Sequence, residues 1–214
     1  YYAVKQDPLA FMYANKKMQD KEIIMAMLKE LPYALRYAND TFIDNKEFIM
    51  EIMCIDGSAL KYASDRLKDD IDIVREAVKQ DGVLLYYASD RLKNNEELVF
   101  EAVKNNGIAL QFASDELKDN KEIALEAIKN NGFVLDDVSD RLKDDEDVVK
   151  EAVKTVTANH TIGFEKSILE CASPRIQNNI DLIKQDSVID ALLKDADEKV
   201  DHTVKNNENR EQER

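Results

Sequence analysis

The segment Leu60-Lys61-Tyr62-Ala63-Ser64-Asp65-Arg66-Leu67-Lys68 sets the organisation of this chain, because it returns at a fixed interval. The next copy is Leu85-Tyr86-Tyr87-Ala88-Ser89-Asp90-Arg91-Leu92-Lys93, 25 residues further on. Two more copies begin at Leu110 and Leu135, and an earlier one begins at Leu35. A fixed period of this length is typical of a repeat protein, in which each unit packs on its neighbours.

A second block in each repeat predicts a helix. Glu76-Ala77-Val78-Lys79 recurs in the three following repeats, and its apolar residues fall at Ile73, Val74, Ala77 and Val78. The spacing i, i+1, i+4, i+5 places them on one stripe of an α-helix, and the alternation of a strand is absent. We interpret one repeat as a helix A from about Ser58 to Ser64, a turn through Asp65 to Lys68, and a longer helix B from about Asp70 to Gln80.

Polar and glycine residues mark the ends of the predicted helices. An Asp or Asn stands at the expected N-cap of helix B, at Asp44, Asp69, Asn94, Asp119 and Asp144. An acidic residue three positions later suits the positive end of the helix dipole. A left-handed C′ glycine is expected after each helix B, at Gly57, Gly82, Gly107 and Gly132. Helices this short are marginal alone, so we predict an all-α fold, an α-solenoid of tandem 25-residue two-helix repeats.

The array is predicted to form one domain over residues 1–193. Ala3-Val4-Lys5-Gln6-Asp7 is identical to Ala77-Val78-Lys79-Gln80-Asp81, so the chain is expected to begin within a helix B, in a partial repeat of a longer array. The last repeat, about 155–193, has nine additional residues within Thr155 to Glu165 and is expected to cap the array. Residues 194–214 are very polar and are predicted to form a C-terminal helix or tail.

The pattern Leu-x-Tyr-Ala-Ser-x-x-Leu-x-x-Asp followed by Glu-Ala-Val-Lys resembles the repeat family catalogued as domain of unknown function 4116. The resemblance covers about residues 3 to 185, and several positions recur together in register. It implies a repeated tract within a larger protein, which agrees with the expected start within a helix. The family carries no assigned activity, cofactor or catalytic residue that could be transferred to this chain.

The composition argues against several classes of function. The chain has 214 residues, with 44 acidic and 30 basic side chains and a net charge of −14. This balance argues against direct binding to nucleic acid or to an anionic membrane, since both would repel the chain. No apolar run is long enough to span a bilayer. The two cysteines are too few for a disulfide framework and favour a reducing, cytoplasmic location.

No residue pattern predicts catalysis or a cofactor. The acidic cluster at residues 144–147 lacks the glycine and ligand spacing of a calcium loop, and helix capping explains it. Two Cys and two His do not have zinc spacing, and neither His160 nor His202 has an evident partner for nucleophilic chemistry. Cys54 and Cys171 are expected to be small buried side chains. We therefore expect a protein that is not an enzyme and has no metal or cofactor.

Candidate binding residues are those that vary from repeat to repeat. On helix A the residue after the core Leu reads Arg36, Lys61, Tyr86, Gln111, Asp136. On helix B the residue before the repeated Glu reads Met50, Arg75, Phe100, Leu125, Lys150. Helices stacked about 10 Å apart would turn each column into a ridge. The apolar residues Met50, Phe100 and Leu125 form either a partner-binding patch or a contact buried against the next repeat, and both alternatives stay open.

We expect a non-catalytic protein-interaction scaffold, a repeat fragment of a larger protein. Its protein or peptide partner is expected to contact Arg36, Lys61, Tyr86, Gln111, Met50, Phe100 and Leu125. The alternative is an acidic inhibitory decoy that mimics nucleic acid and blocks a nucleic-acid enzyme. Its mimicking carboxylates would be Asp40, Asp65, Asp90, Asp115 and Asp140, although neighbours such as Arg66 would partly neutralise them. The oligomeric state stays open.

Overall fold

The computed structural model describes residues 20–28, 32–158 and 165–179. These residues form a series of helices, and none of them lies in a strand. Several predictions fall outside the described residues: the start of the chain within a helix, the insertion around His160, and the polar segment 194–214 with His202.

Each repeat contains three helices, where the sequence predicted two helices and a turn. It begins with a 3₁₀ helix, continues with a one-turn α-helix, called the short helix here, and ends with a long α-helix. The successive bounds are Pro32–Tyr37, Asp40–Ile43 and Lys46–Met53 in unit 1; Gly57–Tyr62, Asp65–Lys68 and Ile71–Gln80 in unit 2; Gly82–Tyr87, Asp90–Lys93 and Glu96–Asn105 in unit 3; Gly107–Phe112, Asp115–Lys118 and Lys121–Asn130 in unit 4; and Gly132–Asp137, Asp140–Lys143 and Glu146–Ala158 in unit 5. Lys21–Leu28 precedes unit 1, and Glu165–Cys171 and Pro174–Asn178 belong to unit 6.

The predicted helix A is a 3₁₀ helix because both of its ends are fixed within a few residues. In unit 3 the carboxylate of Asp81 accepts a hydrogen bond from the N–H of Val83, and Ala88 already has an extended backbone. Short segments of this kind commonly form 3₁₀ turns, with three residues per turn. That period buries Gly82, Leu85 and Ala88 on one side.

A serine begins the short helix and thereby moves the cap of the long helix. In unit 3 the Oγ of Ser89 accepts the N–H of Leu92 at 3.3 Å. The long helix is capped by Asn95, whose Oδ1 accepts the N–H of Leu98 at 2.9 Å, so the prediction of Asn94 was wrong by one residue. The predicted caps end the short helices instead, at Asp44, Asp69, Asn94, Asp119 and Asp144.

The core is a column of aliphatic side chains that runs through the units. In unit 2, Leu60 and Leu67 are fully buried, and the long helix buries the four apolar residues from Ile73 to Val78 that the periodicity predicted. The aromatic column that begins with Tyr37 and Tyr62 is half-buried and packs against this core from outside. Aliphatic burial therefore provides most of the driving force for stacking.

Two layers result from the stacking of successive units. The 3₁₀ helices of neighbouring units contact one another, and so do the long helices. Every pair of described elements in extensive contact belongs to the same unit or to successive units. The prediction of an all-α solenoid built from tandem repeats is confirmed.

The repeated glycines permit the 3₁₀ helix of a unit to pack closely on the long helix of the same unit, and their predicted left-handed conformation was wrong. A Cβ on Gly82 would lie 2.1 Å from the carbonyl oxygen of Ala102 in the next long helix. A Cβ on Gly107 would lie 2.4 Å from the carbonyl oxygen of Ala127. In unit 5, Thr157 stands where a glycine would recur, and there the long helix continues to Ala158.

Candidate partner-binding surfaces

The predicted column on helix A lies on the surface. Its five residues are exposed: Arg36, Lys61, Tyr86, Gln111 and Asp136. Because a 3₁₀ helix has three residues per turn, the residue three positions earlier lies on the same side. In units 2 to 5 this earlier residue is Ser58, Val83, Ile108 or Phe133. We call these two columns in units 2 to 5 the 3₁₀ face.

The 3₁₀ face carries large apolar side chains in three successive units. Tyr86 is 54% exposed, Ile108 is 42% exposed and Phe133 is 41% exposed. Among the described residues, the one other large apolar side chain with comparable exposure is Ile55, between the long helix of unit 1 and the 3₁₀ helix of unit 2. Exposed apolar groups of the described chain are therefore concentrated on one face, as at a binding surface.

Aromatic contacts hold part of the 3₁₀ face in a fixed geometry. The ring of Tyr86 meets the ring of Phe112 in the next unit edge-on, with centroids 5.2 Å apart. The ammonium groups of Lys93 and Lys61 lie 5.7 Å from the Tyr86 ring and 5.5 Å from the Tyr62 ring. Such contacts reduce the conformational entropy that an exposed side chain loses on binding.

The predicted column on helix B is only partly accessible. Met50, Phe100 and Leu125 are half-buried and pack against the core, so each is in part a packing contact, and their role in partner binding stays a prediction. The column does not form a continuous apolar ridge, because Arg75 interrupts it. A depression forms around Phe100.

A groove of about 510 Å³ opens between the long helices of units 3 and 4. We call it the Phe100 groove. Its lining consists of Asn95, Glu96, Glu97, Phe100, Glu101, Glu122 and Ile123. All of these residues belong to the long helices or to the cap that begins one, so the groove is a separate surface from the 3₁₀ face.

A polar clasp joins each short helix to the unit before it. The Asp69 carboxylate accepts hydrogen bonds from the Ser89 hydroxyl and from Nε of Arg91, the latter at 3.0 Å. The serine bond, followed by the arginine bond, lowers the pKa of Asp69. Asp44, Asp119 and Asp144 have the same two kinds of partner and the same direction of pKa shift.

The clasp bears on the alternative function, the acidic decoy, because it determines which carboxylates the arginines neutralise. Arg66 bonds to Asp44 of the preceding unit, with Nε 2.9 Å from the carboxylate, and its guanidinium group is therefore held away from its neighbour Asp65. The arginines consequently neutralise clasp carboxylates. The carboxylates proposed to mimic phosphates are exposed, at Asp40, Asp65, Asp90, Asp115 and Asp140.

Groups with chemical reactivity are dispersed within the described residues. Burial raises the pKa of Asp137, which takes the aromatic position of unit 5, and burial also raises the pKa of the Cys171 thiol. A raised thiol pKa disfavours the nucleophilic thiolate. Cys54 is exposed just after a long helix, so its predicted burial was wrong. In the described part of the chain, no group of three or more His, Cys, Asp or Glu residues is placed to hold a metal ion.

Sequence reasoning missed the column formed by Val83, Ile108 and Phe133. The signal was present, since the residue after the repeated glycine varies among units as strongly as the predicted columns do. The prediction considered one position of helix A, the residue after the core Leu, although residues three apart lie on one face of an α-helix and of a 3₁₀ helix. The predicted column on helix A and the missed column together form the 3₁₀ face.

Comparison with known proteins identifies the repeat. The sequence profile of the family described as Domain of unknown function (DUF4116) matches residues 2–43, 45–93, 76–118 and 120–158. Searches of curated proteins and of solved structures gave no match. Within the described helices, none has both the length and the apolar character needed to cross a membrane.

Proposed function

This chain belongs to the DUF4116 family, and from the geometry of its surface we propose that it is a non-catalytic scaffold that binds a protein or peptide. The observation that carries the proposal is the alignment of Tyr86, Ile108 and Phe133 on the 3₁₀ face. Large aromatic and apolar side chains provide most of the affinity at protein interfaces. The polar members of the same face, such as Lys61 and Gln111, would form the hydrated rim.

Support for a binding role comes from the contrast between faces of one helix. In each 3₁₀ helix the buried positions scarcely vary: Leu60, Leu85, Leu110 and Leu135 are all fully buried. The positions on the 3₁₀ face of the same helices vary, from the half-buried Ser58 to the exposed Phe133 in one column and from Lys61 to Asp136 in the other. Tyr86 contacts Phe112 of the next unit, yet about half of its surface stays exposed, as it does for Ile108 and Phe133; a partner accounts for that exposed apolar surface better than the fold does.

The test replaces the three exposed apolar residues of the 3₁₀ face by serine. Unit 2 already has a serine, Ser58, at the repeat position of Ile108 and Phe133. We expect Tyr86→Ser, Ile108→Ser and Phe133→Ser together to weaken partner binding by about tenfold or more, without loss of helix content. The measurement is quantitative affinity capture from an extract of the source cells, followed by titration of the captured protein. Ile55→Ser is the matched control, since it also removes an exposed apolar side chain. Equal capture by the wild-type chain and the triple variant would contradict the proposal.

The acidic decoy remains a second candidate because the clasp withdraws the arginines from the carboxylates that begin the short helices. If the chain mimics nucleic acid, duplex DNA should displace its partner, and Asn at Asp65, Asp90 and Asp115 should abolish capture. The scaffold predicts a partner that DNA does not displace and that those Asn substitutions do not release. One capture experiment with and without DNA therefore separates the two functions.

A further inference from the structure

Lysine residues join successive long helices at two places in the array. Nζ of Lys46 lies 2.8 Å from Oδ2 of Asp70 and 3.0 Å from Oδ2 of Asp72. Nζ of Lys121 in unit 4 lies 2.7 Å from Oδ2 of Asp145 in unit 5. The carboxylate hydrogen bonds raise the pKa of both lysines, so each position holds a cation firmly.

At the interface between units 3 and 4, unit 3 has a glutamate where those lysines stand. Glu96 takes the repeat position of Lys46 and Lys121, and Asn120 and Glu122 take the positions of the two carboxylates that these lysines bind. Nδ2 of Asn120 donates to Oε1 of Glu96 at 3.1 Å. Within residues 20–28, 32–158 and 165–179, no cation forms an ion pair with Glu96 or Glu122.

The clasp between units 3 and 4 has lost its cation as well. Glu116 stands where Arg66 and Arg141 stand in the repeat, and its Oε2 accepts a hydrogen bond from Nδ2 of Asn94 at 3.3 Å. This interface therefore lacks both kinds of cation that join units 1 to 2 and units 4 to 5.

The Phe100 groove opens at this same interface. Two of its carboxylates are already matched, since Arg75 lies 3.3 Å from Glu97 and 3.2 Å from Glu101. The unmatched charge belongs to Glu96 and Glu122, which lie in the first turns of two adjacent long helices. Helix dipoles favour the ionised carboxylate at such positions.

We propose that the Phe100 groove binds a basic segment of a partner protein. A lysine of the partner takes the position that the Lys46 ammonium holds between units 1 and 2, between Glu96 and Glu122. The methylene stem of that lysine packs on Phe100, as long charged side chains do on apolar surfaces. Charge complementarity selects this partner, because the array itself places an ammonium at the equivalent position twice.

The experiment uses random peptides displayed on phage as the probe, selected on the whole 214-residue chain and counter-selected on its Glu96→Lys variant. Glu96→Lys supplies the ammonium that units 1 and 4 already have, and so blocks the position without enlarging the groove. We expect the surviving peptides to contain a lysine next to an apolar residue. Replacing that lysine by norleucine should weaken binding by about tenfold.

Two variants separate the groove from general electrostatic attraction. Glu122→Gln removes one charge from the groove and should weaken the selected peptides. Glu47→Lys makes the same charge change as Glu96→Lys in the exposed first turn of unit 1 and should leave binding unchanged. The proposal is overturned if the selected peptides lack a basic residue, or if they bind Glu122→Gln as tightly as the wild-type chain. Helix content, followed by circular dichroism, confirms that each variant is folded.

Discussion

Gly82 sets the spacing between the 3₁₀ helix and the long helix of unit 3, because it has no side chain. Its amide N–H donates to Oδ1 of Asn105 at 2.9 Å, and its α-carbon packs against the carbonyl of Ala102. Asn105 also donates to the carbonyl oxygen of Lys79 at 2.9 Å, so one amide side chain joins the ends of two successive long helices. Because a side chain at position 82 would meet the backbone of Ala102, no flexible side chain is present that could move to make room for it.

We expect Gly82→Ala to destabilise the chain by about 2 kcal/mol or more, because the new methyl group would displace the long helix of unit 3. Gly57→Ala is the matched control. Its Cβ would first meet the Oε1 atom of Gln80 and a methyl group of Leu84, the ends of flexible side chains, so a change within about 1 kcal/mol is expected. Urea denaturation measures both free energies. Equal destabilisation by the two substitutions would show that the carbonyl contact does not limit the spacing.

The roles of single residues were partly readable from the sequence. Periodicity alone identified the buried positions of the long helix, such as Ile73 and Ala77, because burial follows the helical period. The caps were predicted one residue early, since a short helix occupies the segment interpreted as a turn. Burial of Cys54 was predicted wrongly because it takes the repeat position of Lys79 and Lys104, on the exposed side of the long helix.

Among the elements, the short helix is the one that joins units through charge. Asp69 ends the short helix of unit 2, while Ser89 and Arg91 begin that of unit 3. The carbonyl of Lys68 also accepts the N–H of Ser89 at 3.0 Å, so backbone and side chains act together. Asn94 and Glu116 replace the acid and the arginine together between units 3 and 4. This joint change indicates that the two positions act as a pair.

Acid should weaken the clasps. The folded pKa of a clasp aspartate lies below the ordinary value of 3.8, so its contribution to stability is complete above that value and is lost as the pH falls through the folded pKa. We therefore expect the melting temperature to fall as the pH is lowered below about 4. Replacing Asp69, Asp119 and Asp144 by Asn should lower the melting temperature at neutral pH. It should also make the melting temperature depend less on pH below about 4.

Thermal denaturation in a series of acidic buffers measures how the melting temperature depends on pH. The matched control replaces three other aspartates, Asp65, Asp115 and Asp140, which begin short helices and do not accept the hydroxyl of the next unit. This control should keep the acid dependence of the wild-type chain. Parallel pH profiles for the wild-type chain and the clasp variant would contradict the assignment.

At the scale of elements, the sequence did not determine whether the first helix of each unit is an α-helix or a 3₁₀ helix. Over six residues, the buried Gly82 and Leu85 share a side of an α-helix as well as of a 3₁₀ helix, so periodicity cannot separate the two. The choice depends on hydrogen bonds at both ends of the segment. It also shapes the binding surface, because the 3₁₀ period superimposes Ile108 on Gln111 and Val83 on Tyr86, whereas an α-helix would place each pair on one face with an offset.

At the scale of the whole molecule, the repeat predicted the architecture because stacking is a local event. Each unit covers the apolar side of its neighbour, and extensive contacts within the described residues reach only the next unit. Stability is then approximately a sum of unit terms and interface terms. The groove between units 3 and 4 could not be predicted, since it depends on which of several charged columns pair across an interface.

A deletion of one whole unit tests this additivity. Removing residues 57–81 takes out unit 2 and joins Asp56 to Gly82, the same residue pair that Asp81 and Gly82 form now. The new interface would keep the acid and arginine of a clasp, in Asp44 and Arg91. We expect a folded chain with unchanged helix content per residue, a lower free energy of unfolding and a smaller urea m-value, because less surface is exposed on unfolding.

Removing only residues 57–68 deletes the 3₁₀ and short helices and leaves the long helix of unit 2 uncovered on one side. That chain should lose cooperative unfolding, although it is the smaller deletion. If the whole-unit deletion were the more damaging of the two, contacts beyond neighbouring units would have to hold the array together.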